Sequence, residues 1–392
     1  MKVKPSDITI DNETKKFSTR RAKLSDVAEE VRGSWKGDAD GVPIVGLEHL
    51  EPEEIWLRHW ALNPVENTFT KAFRKGQMLF GRRRAYQKKL SVAPCDGICS
   101  GDIMVIAAKA DKILPELLPF YLRSEKFFDY AMKGSGGSLS PRVKWAYLAD
   151  YEFDLPDLAR QKELAELLWA ANDLKEKYKK MIAASDEMLK AKFREMFGEC
   201  GEEGAHGAAE VRSVKLEECG DIFTGSTPTM KKAEYWENDE IPFFKPSDFG
   251  EGLTMLNNSE YFADKRAVPV CRMFDSGDVL MTCIATIGKV GVATCRGTCN
   301  QQINFIKPNE KCETIYLAYV LSLIGPRMAF DAKSSVVPII NKTEFSKIEI
   351  PLPPLVLQRQ FVTIAEKAEA VKAGLKKSIA EVDAVIKGLI NG

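Results

Sequence analysis

Histidine is nearly missing from this sequence: His49, His59 and His206 are the only three in 392 residues. A Ser-His-Asp or Cys-His nucleophile has little to build on, and a histidine-rich metal site has less. Apolar runs long enough to span a bilayer are lacking, and Met1-Lys2-Val3-Lys4-Pro5 leads into a polar stretch with no secretory core. The expectation is a cytoplasmic protein with no membrane partner. No P-loop or Gly-x-Gly-x-x-Gly follows a strand-like segment, and the densest glycine cluster, Gly134-Ser135-Gly136-Gly137, follows a helical one. An amino-methyltransferase would show Asn-Pro-Pro-Tyr or a near variant, yet Asn63-Pro64 is followed by Val65. Asp331-Ala332-Lys333 fits only half of a nuclease motif. The chain is therefore expected to hold no catalytic residue, no metal and no cofactor.

An excess of either charge is missing too, since 56 basic side chains balance 56 acidic ones. A nucleic-acid binder with this balance must sort its charge locally or borrow it from partner subunits. Nine cysteines, an odd number scattered over a long chain, do not make a disulfide framework. The spacings Cys95-x3-Cys99 and Cys295-x3-Cys299 are wrong for a zinc knuckle, which leaves reduced, mostly buried thiols.

What the sequence does have is itself, twice. With 45% hydrophobic and 29% charged residues it is a globular chain of a length that suits two or three domains. Val92-Ala93-x-Cys95-x-Gly97-x-Cys99-x3-Ile103-x2-Ile106 returns as Val292-Ala293-x-Cys295-x-Gly297-x-Cys299-x3-Ile303-x2-Ile306. That is seven identities at an offset of 200, where chance would give about one. The same offset continues through a predicted helix, 113–133 against 313–333. Phe73-x2-Gly76-x2-Leu79 matches Phe274-x2-Gly277-x2-Leu280, and Leu24 with Gly33-Ser34 matches Leu216 with Gly225-Ser226. Leu155-Pro156-x-Leu158-x2-Gln161 matches Leu352-Pro353-x-Leu355-x2-Gln358. The offset drifts from 192 to 201 to 197, as it must when loops change length and regular elements do not.

A long helical segment follows each Leu-Pro. In the first, Leu164, Leu167, Ala171, Leu174, Tyr178, Met181, Ser185, Met188 and Lys192 alternate steps of three and four. In the second, Phe361, Ile364, Ala368, Val371, Leu375, Ser378, Val382, Val385 and Leu389 do the same, 197 residues later. A stripe this narrow and long is a coiled-coil seam, with a helix lying on its own domain as the alternative. The domain reading is a first globular domain at 1–158, a long helix at 159–197 and a Gly-, Ala- and Glu-rich linker at 198–212. A second domain at 213–355 and a second long helix at 356–390 complete it. Pro43-Ile44-Val45-Gly46, Ile241-Pro242-Phe243-Phe244, 102–107 and 302–306 are predicted strands; 114–132 and 314–330 are predicted helices. The fold class is α+β: two tandem mixed α/β domains, each followed by a long helix. The two helices pair as an antiparallel coiled coil about a pseudo-twofold axis.

Binding remains as the function to look for. Residues 71–90 carry eight basic side chains and no acidic one: Lys71, Arg74, Lys75, Arg82, Arg83, Arg84, Lys88 and Lys89, with Tyr86 among them. Arginines clasp phosphate or the major-groove edge of guanine, whereas a basic strand edge can also be a device against edge pairing. The second half has no equal run. Its candidates are Lys231, Lys232, Tyr235, Trp236, Lys245, Ser247, Lys289, Asn300, Gln301 and Gln302. Asn and Gln pair bidentately with adenine, or else cap turns. The repeats agree at apolar and glycine positions and diverge at polar ones, which fits one scaffold reading two different sequences.

Gly225-Ser226-Thr227-Pro228, Tyr235-Trp236, Ile241-Pro242-Phe243, Lys245-Pro246-Ser247-Asp248, Gly288-Lys289-Val290 and Asn300-Gln301 resemble a target-recognition domain. With Pro351-Leu352-Pro353-Pro354-Leu355 and Gln358 leading into the helix, the chain resembles the specificity subunit of type I restriction–modification systems in both halves. The first half carries Trp35-Lys36 where the second has Thr227-Pro228. The resemblance implies a non-catalytic subunit whose two target-recognition domains read the two halves of a bipartite double-stranded DNA site. It implies paired helices that act as ruler and as docking surface for two methyltransferase subunits. Those subunits would bind S-adenosylmethionine and methylate adenine, and a motor-nuclease subunit would join for restriction. A seam over 164–192 is roughly 43 Å long at ~1.5 Å per residue, against ~34–36 Å between half-sites read from one face of DNA. The competing reading is a two-domain coiled-coil adaptor that binds proteins rather than DNA.

Overall fold

The computed structural model describes residues 19–52, 54–62, 68–136, 141–198, 211–250, 252–331 and 338–391. The linker expected at 198–212 falls, apart from its ends, outside the described residues. The chain divides into two compact units: residues 1–178 with 377–392, and residues 179–376.

Inside the first unit, Ile103–Ala108 reads Ile-Met-Val-Ile-Ala-Ala and is buried over its first four residues, the pattern of a strand flanked on both sides. It is a central strand of a four-stranded sheet in the order Ala28–Val31, Ile103–Ala108, Met78–Gly81, Leu90–Val92, all antiparallel. A second sheet orders Ala61–Leu62, Pro43–Val45, Gly97–Cys99 and Lys71–Phe73, with Pro43–Val45 parallel to Gly97–Cys99. The second unit repeats both. Gly220–Thr224, Ile303–Pro308, Val279–Thr282 and Val290–Ala293 keep the same order, and Leu253–Leu256 adds a parallel edge strand. Phe262–Ala263, Ile241–Phe244, Gly297–Cys299 and Met273–Phe274 form the other sheet. Among the described residues the first unit shows a trace of the added strand, a parallel bridge from Trp56 to Val92.

Each domain is closed by a two-stranded ribbon that joins its beginning to the strand before its long helix. Thr19–Lys23 pairs with Glu152–Pro156, and Arg212–Lys215 with Glu349–Leu352. The helix predicted at 314–330 is found at Thr314–Asp331, but the one predicted at 114–132 is two, Leu118–Leu122 and Glu125–Lys133. Ser124 causes the break: its backbone is extended and its hydroxyl accepts from the Phe127 N–H, which starts a new helix. Of the eight described cysteines, five are buried, and none of the eight is in a disulfide.

The long helices span Leu158–Phe197 and Leu355–Asn391. Each is fixed at its start by a buried glutamine. The Gln161 amide accepts from the Leu114 N–H at 2.8 Å and donates to the Pro156 carbonyl at 2.9 Å. Gln358 accepts from the Glu313 N–H at 2.8 Å and donates to the carbonyls of Lys311 and Pro353 at 2.9 and 2.7 Å. Replacing Gln358 by the similarly shaped Met strands three backbone groups out of water, and the expected loss is about 2–4 kcal/mol. Urea unfolding measures it; a loss under ~0.5 kcal/mol would mean that the glutamine is not the tie.

In the first unit Ile386, Leu389 and Ile390 of the second helix pack on the core that holds Leu164, Ala165 and Leu168 of the first. Lys175 donates to Asp383 at 2.7 Å. In the second unit Leu189, Phe193 and Phe197 share a core with Phe361, Val362, Ala365 and Ala368. Lys372 donates to Asp186 at 2.6 Å. In each unit residue numbers rise along one helix as they fall along the other, so the pairing is antiparallel. At the offset of 197 the two ion pairs are one pair, seen once in each unit.

Of the seam expected at Leu164, Leu167, Ala171, Leu174, Tyr178 and Met181, Leu164 is buried and Ala171 and Tyr178 are half-buried, while the alternate positions are displaced by one residue. Leu167, Leu174 and Met181 are 50%, 40% and 52% exposed. The covered stripe instead runs through Ala165, Leu168, Asn172, Lys175, Lys179, Ile182, Asp186, Leu189 and Phe193. Apolar residues stand side by side at Leu167-Leu168, Met181-Ile182 and Met188-Leu189, so two adjacent registers look equally apolar. Cross-helix ion pairs then favour the one that contains Lys175 and Asp186. In the second helix Phe361 and Ala368 are buried and Ile364, Leu375 and Val382 half-buried, while Val371 is 55% exposed.

Candidate nucleic-acid interface

A hairpin joins Met78–Gly81 to Leu90–Val92 in the first domain, and another joins Val279–Thr282 to Val290–Ala293 in the second. Both require the left-handed backbone region at matching places. Arg84 (φ 56°) corresponds to Ala285 (φ 62°), and Lys88 (φ 51°) to Gly288 (φ 92°). A neighbouring segment closes on each tip. In the first domain the Arg84 N–H donates to the Pro141 carbonyl and the Val143 N–H to the Arg82 carbonyl. In the second the Ala285 N–H donates to Pro338 and the Ile340 N–H to Cys283. A third segment completes both, through Arg82 N–H to the Asp102 carbonyl and Cys283 N–H to the Gln302 carbonyl. The two sites thus share these backbone closures, although the first hairpin is one residue longer and carries a short 3-10 turn at Ala85–Gln87, and their side chains differ.

In the first domain those side chains are charged. Arg83 and Arg142 face each other across the closing bridge. Asp102 accepts from both, from Arg142 Nε at 2.8 Å and from Arg83 Nη1 at 3.3 Å. Arg84, Tyr86 and Lys88 are exposed on the tip. Beside it lies a cavity of about 640 Å³ lined by Lys71, Arg82, Ser34, Thr70 and Lys144 among others. Nε of Arg82 is buried with no hydrogen-bond partner among the described residues. Burial lowers the pKa of Lys71, whose ammonium donates to the Ile103 carbonyl at 2.9 Å.

A second cluster holds Trp35, whose indole N–H donates to the Asp38 carbonyl, with the Arg74 guanidinium 5.5 Å from the centre of its ring. Arg74 also donates to Asp96 at 2.8 Å, as does the backbone of Lys75. Lys36 and the Lys75 side chain are exposed. Lys89 differs in kind: it is half-buried and donates to the Leu47 carbonyl at 2.6 Å.

The second domain brings together Ser226, Thr227, Asn300 and Gln301. The Ser226 hydroxyl accepts from the Arg272 N–H, and Thr227 Oγ1 lies 2.6 Å from Gln301 Oε1. Gly225 makes this approach possible, because a Cβ there would sit 2.2 Å from the Asn300 carbonyl oxygen. Asn300 bonds Gln302 at 2.9 Å. Lys231 and Ser247 are exposed, and Lys245 carries its ammonium 3.0 Å from the centre of the Tyr261 ring.

Lys289, Tyr235 and Trp236 of this domain are scaffold. Lys289, the counterpart of Lys89, donates to the Phe249 carbonyl at 2.7 Å. Tyr235 is buried with Ala263 and Ala267, and Trp236 packs edge-on against Phe243. Lys232 lies over the Tyr235 ring. Aromatic residues in a polar loop look like a reading surface in sequence, but here they close a small core of their own.

Arg142, Arg272 and Lys144 lie outside the basic run and the motifs of the second half. Arg142 was within reach, because Pro141-Arg142-Val143 matches Pro338-Ile339-Ile340 at the offset of 197 that the Leu-Pro motifs share. Among the described residues no cluster of histidine, cysteine and carboxylate side chains could hold a metal, and no helix is long and apolar enough to cross a membrane.

Residues 209–382 match the type I restriction modification DNA specificity domain. A Methanocaldococcus jannaschii sequence assigned to the MjaX type I restriction enzyme as its specificity subunit is 25% identical, over 89% of this chain and 85% of its own length. The HindI specificity subunit of Haemophilus influenzae is 26% identical over 45% of this chain and 40% of its own. A chain from a structure of type I restriction–modification assembly and conformational transition superposes with a TM-score of 0.57 at 20% identity, covering 95% of this chain and 96% of that one. The S subunit from M. genitalium superposes at 0.54 with 12% identity, covering 97% and 98%. These two structures share the fold.

Proposed function

We propose that this chain is a specificity subunit of a type I restriction–modification system and that it reads a bipartite DNA site, one half with each domain. It would carry methyltransferase and restriction subunits to that site without reacting itself. The observation that carries the reading is the duplicated tip. One backbone, bent at the same non-glycine positions Arg84 and Ala285, presents two unlike sets of side chains. A scaffold kept constant while its polar tips diverge is what two different half-sites require. S-adenosylmethionine would be held by the methyltransferase subunits. The apolar side chains left exposed at seven-residue steps on the first long helix, Leu167, Leu174, Met181 and Met188, offer partner helices a face to cover.

The test is footprinting with the purified full-length chain. Two protected segments separated by an accessible spacer are expected, with affinity falling steeply as salt rises. Methyl transfer from S-adenosylmethionine should appear only after methyltransferase subunits are added. One continuous footprint, or none at low salt, would overturn the DNA reading in favour of the protein adaptor. Methyl transfer by the chain alone would overturn the non-catalytic assignment.

A further inference from the structure

The tip of the first domain holds an arrangement that folding does not ask for. Arg83 and Arg142 are directly opposed across an antiparallel bridge, so their side chains share one face. Like charges in that relation destabilise a strand pair. Asp102 lies between them and accepts from both. The second domain shows what the scaffold does without them: Ile284 and Ile339 occupy the same bridge, and Gln302 stands where Asp102 does. The charged set is therefore kept for something outside the chain.

Its geometry says for what. Arg142 gives Nε and Nη2 to one oxygen of Asp102, both at 2.8 Å, while its side chain stays 53% exposed. An arginine held along its Nε edge presents the opposite edge as a fixed pair of parallel N–H donors. That pair matches O6 and N7 of guanine in the major groove. Arg83, 37% exposed, is held by the other oxygen of the same carboxylate, Oδ2. At the equivalent place Ile339 is 51% exposed, an apolar surface suited to the thymine methyl and unable to satisfy guanine.

We propose that Arg83, Asp102 and Arg142 form the guanine-reading element of the first domain, and that Ile284, Gln302 and Ile339 make the same place in the second domain blind to guanine. The proposal rests on the chain reading DNA, and the experiment separates the two. Random duplexes are selected with the full-length chain and with two variants. R83I/D102Q/R142I installs the residues that the second domain already tolerates, and R142K keeps the charge but not the fork. The wild type should select two separated segments. Both variants should lose one guanine from the first segment and leave the second unchanged. The triple variant should bind the wild-type site about 10- to 100-fold more weakly, and a duplex lacking that guanine no worse than the wild type does. The intact second segment and an unshifted melting temperature report that the variants are folded. If either folded variant keeps every base preference, or if R142K behaves as wild type while the triple weakens all duplexes alike, the arginines hold phosphate and the proposal falls. If the wild type selects no segmented motif, the DNA reading fails with it.

Discussion

Replacing Arg84 and Lys88 together by glycine should weaken duplex binding while leaving the folded chain within about 1 kcal/mol of its original stability. Both residues sit in the left-handed region, where a side chain costs roughly 1–2 kcal/mol that glycine does not incur. Glycine gives back part of that gain through a more flexible unfolded chain. The second domain already carries Gly288 at the place of Lys88, so the backbone accepts the change. Strain held at an exposed basic tip fits the phosphate contact proposed for it. Losing two phosphate contacts lowers the magnitude of the slope of log affinity against log salt by about 1.8. At low salt, where those contacts count most, the loss should exceed tenfold. Titrations at several salt concentrations, beside a thermal melt, check both halves of the claim. An unchanged slope in a stable variant would return this tip to the role of a solvated edge.

A larger effect on stability is expected from Phe361→Ala. The Phe361 ring is fully buried, with ring centres of Phe193, Phe197, Tyr316 and Tyr319 at 5.3, 5.7, 6.2 and 5.1 Å, all steeply tilted to it. Four rings packed around a fifth cannot collapse into the space it leaves, because each is pinned by others. Tyr316, for one, donates to the Pro351 carbonyl at 2.8 Å. The transfer and cavity contributions together come to about 3–5 kcal/mol. The loss should fall on the second unit alone, as a separate transition at lower temperature in calorimetry. A loss below ~1.5 kcal/mol would show that the cluster relaxes. Its counterpart in the repeat, Leu164, is a smaller side chain in the other core, and truncation there should cost less.

The repeat, the strand-rich halves and the long helices could be read from the chain because identities at a drifting offset do not depend on knowing any contact. The heptad register could not. Leu167-Leu168 and Met188-Leu189 offer two apolar stripes one residue apart, and hydrophobicity weighs them equally. The choice was made by Lys175 with Asp383 and Lys372 with Asp186, pairs 208 and 186 residues apart. At the candidate site the basic run was plain, yet its members part company in three dimensions. Lys89 and Lys289 bond buried carbonyls, a distinction that composition cannot make. Arg142 lies 58 residues from Arg84 in sequence and beside its hairpin only because one short bridge closes there. Tyr235 and Trp236 misled for the opposite reason, since a core of a few residues leaves no periodic pattern.

The division of the chain also sets an order of events during synthesis. Residues 179–376 form one uninterrupted unit, whereas the other is built from 1–178 and 377–392. Ile386, Leu389 and Ile390 cover part of the core laid down by the first domain. Until the ribosome has made them, that core carries an open apolar flank. At ~5–20 residues per second the wait after residue 178 lasts roughly 10–40 s. The second unit is complete once residue 376 is made, ten residues before Ile386. Translation that stalls after residue 376 would thus release a chain with one unit finished and the other exposed along one flank, the half-made state that chaperones and proteases recognise.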